Sequence, residues 1–311
     1  MHRFASQNIL LGVGAGVLAG AFWGLVFLTP ELTRGFLPIQ LSAGRYLAYG
    51  AIAAALLAPS WRRVIAILSW KEWRALCWLS FTGNIIYYVF LANAVRLGGV
   101  AMTSLVIGML PVTVTLVGSR DHGAVPLARL LPSLVLSAAG LVCISWPALS
   151  SGPKASFVGL LCAIGSLVSW TTYAVGNSRW LDRLSHVTAH EWSLLTGVVT
   201  GAQALLLAVP AFLLTSIAHT SSEWLYFAGV MSAVALFCSV IGNALWNRAS
   251  RLLPLTMSGQ LIVFETLFAL LYGFLWEARW PTALETLAMV LLVAGVLSCA
   301  SAHRPSEVHA E

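Results

Sequence analysis

The chain has 311 residues, of which 59% are hydrophobic and only 9% are charged. A water-soluble globular protein is nearer half apolar and a quarter charged, so this composition excludes that class and indicates a polytopic membrane protein. The net charge of +6 comes from basic residues in short connections between apolar segments, which indicates membrane topology and not a nucleic-acid partner.

Ten apolar segments are long enough to cross a bilayer, since a helix needs about 20 residues to span the hydrocarbon core. The breaks between them coincide with clusters of charge, proline and glycine, and no connection is long enough for a separate soluble domain. We therefore predict an all-α integral membrane protein. In chain order, the predicted segments are 9–28, 38–58, 74–95, 99–118, 126–145, 156–178, 188–215, 224–247, 253–276 and 282–302.

Lysine and arginine are distributed unequally between the two sides of the predicted membrane. With the N-terminus inside, the inner segments carry 12 basic residues and the outer loops carry four, while Arg45 falls within the second segment. Because basic residues concentrate on the cytoplasmic side, this bias predicts that both termini are cytoplasmic. The first apolar run is interpreted as a retained span and not as a signal peptide.

An internal repeat emerges when the chain is aligned with itself at an offset of 155 residues. Arg96 then meets Arg251, Met102 meets Met257, and the proline breaks also coincide. We predict a first five-helix repeat over residues 1–150 and a second over 151–311, in a single membrane domain. Because five is odd, the second repeat would enter the membrane with opposite polarity. Inverted repeats around a central cavity are typical of secondary transporters that work by alternating access.

Several stretches resemble a known family. They are "GAFWG" in the first segment, "AGRYLAYGAIAAALL" in the second, "SWTTYAVGNSRWL" in the sixth, and the "AG" pairs of the fifth and tenth. Together they resemble the ten-helix, EamA-like drug/metabolite transporter superfamily over nearly the whole chain, and the sequence is most similar to bacterial aromatic amino acid exporters. The resemblance implies a bacterial inner-membrane exporter. The family often has a Glu-Pro pair in the ninth segment, where this chain has Glu265-Thr266.

Glu265 is the only acidic residue deep inside a predicted span. A charge at the bilayer centre costs about 2.5–3.5 kcal/mol on insertion scales, so the carboxyl group should face a cavity or a partner, or be protonated. One interpretation is a proton-linked gate or a contact to a substrate ammonium group. The other is a glutamate that fixes helix packing, and both remain open.

Two segments carry polar and aromatic side chains along one helical face. In the eighth segment, spacings of three and four residues align Ser239 with Asn243 and Trp246. Polar faces in membrane helices point into the protein, where they bond to neighbouring helices or line a pocket. The side chains assigned to a substrate pocket on this basis are Asn84, Tyr87, Tyr88, Asn243 and Trp246, with Gln260 of the ninth segment.

Aromatic residues within the spans are the other candidate pocket residues. Trp23 and Trp170 occupy matching places in the first helix of each half, and Tyr173 lies one turn beyond Trp170. Stacking on a flat substrate ring is worth about 0.5–1.5 kcal/mol per pair beyond area burial. Plain helix packing is the alternative for each ring.

Small and helix-breaking residues mark candidate hinges or gates. Pro111 should kink the fourth segment by removing a helical hydrogen bond. Gly98, Gly99 and Pro254 lie at short turns that could flex during transport.

We therefore predict a secondary active or facilitative transporter that exports aromatic amino acids or similar small amphipathic metabolites. Proton coupling and a homodimer are left open. The alternatives are another cargo, such as cationic drugs or nucleotide sugars, and, more remotely, an intramembrane enzyme. No phosphate-binding loop or metal motif is found, so the prediction includes no enzymatic activity, no cofactor and no metal.

Overall fold

The computed structural model describes residues 2–98, 100–151, 157–214 and 218–303, with the side chains of all but residues 2–7, 98, 100–101 and 147–151. The predicted hinge Gly99, and Lys154 and Arg304 of the charge count, lie outside the described residues. The structure is 87% helix and has no strand among the described residues, which confirms the all-α prediction.

Ten helices follow the ten predicted segments. Nine helices of the described part are long and apolar enough to cross a membrane, and the fourth, Met102–Gly118, is shorter. The helices are α1 (His2–Gly24), α2 (Pro38–Leu57), α3 (Trp70–Ser80, Phe81–Ile86, Tyr87–Gly98), α4 (Val100–Gly108, Leu110–Gly118), α5 (Leu127–Ser151), α6 (Phe157–Arg183), α7 (Ala189–Ala208, Val209–Leu213), α8 (Ser221–Val234, Ala235–Ile241, Gly242–Leu252), α9 (Leu255–Leu261, Val263–Trp276) and α10 (Ala283–Ala302).

Polar residues at the helix starts explain where several helices begin. Helices α3, α7, α8 and α10 each start with a capping box, in which a Ser or Thr hydroxyl and a Glu carboxylate satisfy backbone N–H groups of the first turn. The acids of these boxes therefore lie at the ends of the spans and not in their middle. The four boxes are Ser69/Glu72, Thr188/Glu191, Thr220/Glu223 and Thr282/Glu285.

The third helix of each half contains a π-helical turn, Phe81–Ile86 in α3 and Ala235–Ile241 in α8. A π-turn widens the helix, leaves backbone carbonyls free for other donors, and is frequent at functional sites.

The fourth helix of each half is broken instead. In α4 the break is at Met109, two residues before Pro111, whose ring nitrogen cannot donate the helical hydrogen bond. Helix α9 breaks at Ile262 without a proline, and this second break was not predicted.

The helices form two three-helix bundles that each combine helices from both halves of the chain. Helix α1 packs on α8 and α9, while α6 packs on α3 and α4. Helices α4 and α9 join the two bundles, and the pairs α2–α7 and α5–α10 flank them. We call the first group bundle A (α1, α8, α9) and the second bundle B (α3, α4, α6).

Glycines allow the closest helix contacts. A Cβ atom on Gly20 of α1 would lie 2.9 Å from the backbone nitrogen of Glu265, and one on Gly24 would lie 2.9 Å from that of Ala269. Between α2 and α7, a Cβ on Gly50 would lie 2.6 Å from the Cα of Gly201. Small residues spaced by four let membrane helices approach backbone to backbone. The glycines of α1 therefore act in packing, as expected for a glycine-rich stretch inside a span.

Candidate functional site

Three tryptophans meet in the middle of the molecule, where bundle A faces bundle B. The ring of Trp23 lies 6.2 Å from that of Trp170 and 5.4 Å from that of Trp246, and Trp170 lies 6.2 Å from Trp246. Tyr173 extends the group, at 5.8 Å from Trp170. Four of the sequence-predicted side chains thus form one aromatic cluster, to which α1, α6 and α8 contribute.

The two π-turns position this cluster. The indole N–H of Trp23 donates to the carbonyl of Cys238 in the α8 turn at 3.0 Å, and the Ser169 hydroxyl of α6 donates to the carbonyl of Thr82 in the α3 turn at 2.7 Å. Each π-turn therefore receives a donor from the first helix of the other half. Two glycines make room for the rings, one within the α3 turn and one directly after the α8 turn. A Cβ on Gly83 would lie 2.4 Å from Tyr173, and one on Gly242 would lie 2.8 Å from the Trp23 indole nitrogen.

The Trp246 indole N–H is unusual within the cluster. Its side chain is only 1% exposed, yet the nitrogen has no hydrogen-bond partner among the described residues. A buried donor without a partner is costly, so a bound water or substrate is its expected acceptor.

Glu265 of α9 lies close to the helix that carries Trp23. Its side chain is half-buried, and its backbone nitrogen packs against Gly20 of α1, three residues before Trp23. Glu265 makes no side-chain hydrogen bond and no ion pair with any described residue. Its carboxyl group is therefore left for a partner outside the described chain.

Two of the predicted amides, Asn243 and Asn84, bond to neighbouring helices and keep part of their surface exposed. Asn243 donates to the Tyr49 hydroxyl at 3.2 Å, and that hydroxyl donates to the carbonyl of Ser193 at 3.0 Å. Asn84 donates to the Thr200 hydroxyl at 3.1 Å, a bond between α3 and α7. Both amides are half-buried, so each has part of its surface free.

Tyr88 lies further along α3, and its hydroxyl donates to the carbonyl of Pro38 at the start of α2. Tyr87, the residue before it, is half-buried, and its backbone carbonyl accepts from the Ser166 hydroxyl of α6 at 3.1 Å.

Gln260 is held in a packed contact apart from the aromatic cluster. Its side chain is 1% exposed, donates to the Thr115 hydroxyl at 3.2 Å and accepts from the Ser137 hydroxyl at 3.1 Å. Its amide nitrogen and its amide oxygen are thus each bonded to a neighbouring helix, α4 and α5 respectively. In this conformation Gln260 joins helices, and a role in substrate binding stays a prediction.

The interior is more tightly packed toward one end of the bundle pair, which we interpret as its closed end. At that end α9 is buried without interruption over residues 255–263, whereas residues 264–270 beyond it are half-buried. We call it the Arg251 end; it holds the C-termini of α4, α6 and α8 and the start of α9. The other end, which holds the C-termini of α1, α3 and α9, is called the Arg96 end.

Polar bonds cross from bundle B to bundle A at the Arg251 end. Arg251 of α8 donates to the carbonyls of Leu181, Leu184 and Val187 at 3.2, 2.9 and 3.0 Å, which caps the C-terminus of α6. One turn deeper, Asn177 of α6 donates to Asn247 of α8 at 2.8 Å. Charged donors to the last carbonyls of a helix also favour its negative end, so this contact holds the bundles together.

The predicted hinge residues lie near these features. Pro111 is buried directly after the break in α4, and Pro254 forms the exposed connection between α8 and α9 at the Arg251 end. Gly98 is the last residue of α3 at the Arg96 end. Whether they move is not a property of one conformation, so their hinge role stays a prediction.

The sequence reasoning missed Arg45, Tyr49 and Ser239 as site residues. Arg45 donates from Nε to the Ser239 hydroxyl at 3.0 Å, and its guanidinium group lies 5.5 Å from the ring centre of Tyr46. The available signal was that Arg45 is the only lysine or arginine more than one helical turn inside a predicted span. A basic residue inside the membrane faces a partner or a water-filled space by default.

Comparison with known proteins finds relatives that are described as transporters or as inner membrane proteins. The EamA-like transporter family model matches residues 157–300. The inner membrane protein YtfF of Escherichia coli (strain K12) is 34% identical over 306 residues, which cover 93% of this chain and 94% of that protein. An uncharacterized transporter of Archaeoglobus fulgidus is 25% identical over 302 residues, covering 96% and 99%.

A solved crystal structure has a TM-score of 0.70 at 20% identity and covers 95% of this chain and 97% of its own. At this level of identity, the similarity indicates a shared fold and nothing about function.

Proposed function

We propose a cargo and a mechanism for this chain, which belongs to the EamA-like transporter family and is a multi-pass inner-membrane transporter. The proposed cargo is an aromatic amino acid or a similar small amphipathic metabolite, and the proposed direction is export.

The single observation that carries the cargo proposal is the arrangement of rings and charges between the bundles. Trp23, Trp170 and Trp246 lie within 6.2 Å of one another, and Trp170, the half-buried member, can offer its ring to a flat substrate. Glu265, whose backbone packs on α1 three residues before Trp23, offers a carboxyl group without a partner among the described residues. A substrate with an aromatic ring and an ammonium group complements both features.

We also propose that residues 1–150 and 151–311 are inverted repeats. The helix contacts support this, because they keep the same pattern when the halves are exchanged. Exchange turns the α3–α6 contact into the α8–α1 contact and leaves the α2–α7, α4–α9 and α5–α10 contacts unchanged. The π-turns in α3 and α8 and the breaks in α4 and α9 follow the same exchange.

Alternating access follows as a proposal from this symmetry. In the present conformation the Arg251 end is closed, and Arg251 caps α6. Exchange of the halves turns that contact into one between Arg96 of α3 and the C-terminal end of α1. Arg96 is exposed here and has no partner among the described residues. We propose that Arg96 caps α1 when the Arg96 end closes and the Arg251 end opens.

The charge bias of the sequence supports an assignment of each end to one side of the membrane. Both termini and the Arg251 end would face the cytoplasm, because twelve basic residues lie on that side and four on the other. The present conformation would then be open to the outside, and Glu265 would be the group through which protons couple to transport.

The test is counterflow in liposomes that contain the purified protein and labelled phenylalanine, tyrosine or tryptophan, with and without a pH gradient. We expect flux in the wild type and a loss of tenfold or more in Glu265→Gln and in Trp170→Ala. Glu277→Gln and Trp280→Ala are matched controls at the exposed end of α9 and should retain flux, since Trp280 is 91% exposed. If both site variants kept full flux, the proposed site would be wrong.

A further inference from the structure

We infer that Arg45 binds a carboxylate group of the cargo and that Arg45 and Glu265 together select zwitterions. This inference rests on the proposed function above and specifies the chemistry of its cargo.

The guanidinium group of Arg45 is only partly used by the protein. Its Nε donates to Ser239, and the Tyr46 ring lies beneath it at 5.5 Å from the ring centre. The two terminal nitrogens make no hydrogen bond with a described residue, and the group forms no ion pair. These nitrogens are also absent from the buried atoms that lack a partner, so they face accessible space. The protein thus holds the group at one edge and leaves the other edge free.

The free edge of an arginine is suited to one kind of ligand. Its two terminal N–H groups match the two oxygens of a carboxylate, and such paired bonds are the strong ones. A cation inside a membrane span is also costly without a counter-charge, so a site of this kind gains from an anionic ligand. A neutral or purely cationic cargo would leave this edge unbonded.

Glu265 supplies the complementary charge. Its backbone packs on α1 three residues before Trp23, whose indole bonds to the same π-turn that holds Arg45. Glu265 and Arg45 form no ion pair, so their charged groups lie more than 4.0 Å apart. The ammonium and carboxylate groups of an α-amino acid sit on adjacent atoms and have the same two signs. Such a molecule would place its carboxylate on Arg45 and its ammonium group on Glu265. Its side chain would then extend toward the tryptophan cluster.

The π-turn of α8 links these contacts. Its Ser239 holds Arg45 from one side, and the neighbouring Cys238 carbonyl holds Trp23 from the other. One irregular turn therefore sets the distance between the charge site and the ring site.

The experiment measures inhibition of labelled phenylalanine counterflow in the full-length protein by three unlabelled compounds. These are phenylalanine, phenylalaninamide, which lacks the free carboxylate, and 3-phenylpropionate, which lacks the ammonium group. In the wild type we expect phenylalanine to inhibit at least tenfold more strongly than either analogue.

In Arg45→Gln, phenylalanine should lose tenfold or more of its apparent affinity, and its advantage over phenylalaninamide should disappear. Arg45→Lys keeps the charge but not the paired donors. Its apparent affinity for phenylalanine should therefore lie between those of the wild type and Arg45→Gln. The matched control is Arg34→Gln, which removes an exposed basic residue that forms an ion pair with Glu31. It should change neither the apparent affinity for phenylalanine nor its advantage over phenylalaninamide.

The outcomes separate this inference from the proposed function. If the wild type moves no aromatic amino acid, the proposed function fails and this inference fails with it. If the wild type moves phenylalanine but phenylalaninamide inhibits equally well, only the inference is overturned, whether or not the Arg45 variants fold. Equal selectivity in wild type and a folded Arg45→Gln protein would also overturn it.

Discussion

The two ends of the bundle interface differ in what holds bundles A and B together. At the Arg251 end, side-chain bonds cross between them. Arg251 donates to three carbonyls at and just after the end of α6, Asn177 donates to Asn247, and Gln260 donates to Thr115. At the Arg96 end, the described part of the chain has no hydrogen bond or ion pair between bundle A and bundle B. There the Tyr272 hydroxyl donates to the Ala21 carbonyl at 3.1 Å, which is a bond within bundle A.

This difference shows how one chain can close a site on one side only. Buried polar bonds are directional and are either made or broken, so a few of them can define a closed end. Apolar packing alone would hold both ends with similar strength. The substrate-facing groups lie between the two ends, which is where a carrier needs them.

The largest expected effect concerns the α2–α7 contact, which lies between the two ends. Gly201→Val would place side-chain atoms against the Cα of Gly50, since even a Cβ there lies 2.5 Å away. No flexible side chain can give way, so we expect a loss of about 3 kcal/mol or more. Thermal unfolding in detergent should show a midpoint lowered by about 5 °C or more.

The control for this change is Gly229→Val, because a Cβ on Gly229 meets nothing within 4 Å. It should leave the midpoint nearly unchanged. A similar fall in both variants would mean that any side chain at a helical glycine destabilises the protein, and the α2–α7 contact would lose its special role.

The next effect tests the comparison of the two ends directly. Arg251→Ala removes the cap on α6, and a hydrogen bond to a charged group is worth about 1.5–3 kcal/mol. We expect the Arg251 end to open more often, by about tenfold. The readout is maleimide labelling of Ser258→Cys in a protein that lacks its five native cysteines, since Ser258 is 0% exposed and lies at that end.

Arg96→Ala is the matched variant and should act in the opposite direction. If Arg96 caps α1 only in the other conformation, its loss leaves the present conformation favoured and slows labelling at Ser258→Cys. Faster labelling in both variants, or no change in either, would contradict an exchange of caps between the two ends.

Much of the fold follows from the sequence, because each span is set by the length and hydropathy of its own segment. Length and hydropathy place the ten spans, and the likeness of the first helix of each half pairs Trp23 with Trp170, whose rings lie 6.2 Å apart. Both the spans and the tryptophan match can be found from residue types and their spacing along single helices.

The finer geometry of the site could not be predicted in the same way. A π-turn adds a residue to a helical turn and rotates everything after it, so the stripe predicted for a regular α8 does not fix where its members point. Ser239 and Asn243 bond to Arg45 and Tyr49, which are one turn apart on α2. Trp246 packs instead against Trp23 and Trp170. Gln260 was assigned to the pocket because it is polar, but its partners come from α4 and α5, which sequence spacing on α9 cannot identify.

The smallest expected effect compares two buried tryptophans, one at the Arg251 end and one at the substrate site. The Trp192 indole donates to Asn177 at 2.9 Å, whereas the Trp246 indole has no partner. Trp192→Phe leaves the Asn177 oxygen with one donor fewer and should cost about 1 kcal/mol, seen as a lower unfolding midpoint. Trp246→Phe removes an unsatisfied donor and keeps an aromatic ring, so the midpoint should hold while the apparent affinity for phenylalanine falls. If Trp246→Phe instead lowered the midpoint and spared affinity, Trp246 would belong to the packing of the closed end and not to the site between the ends.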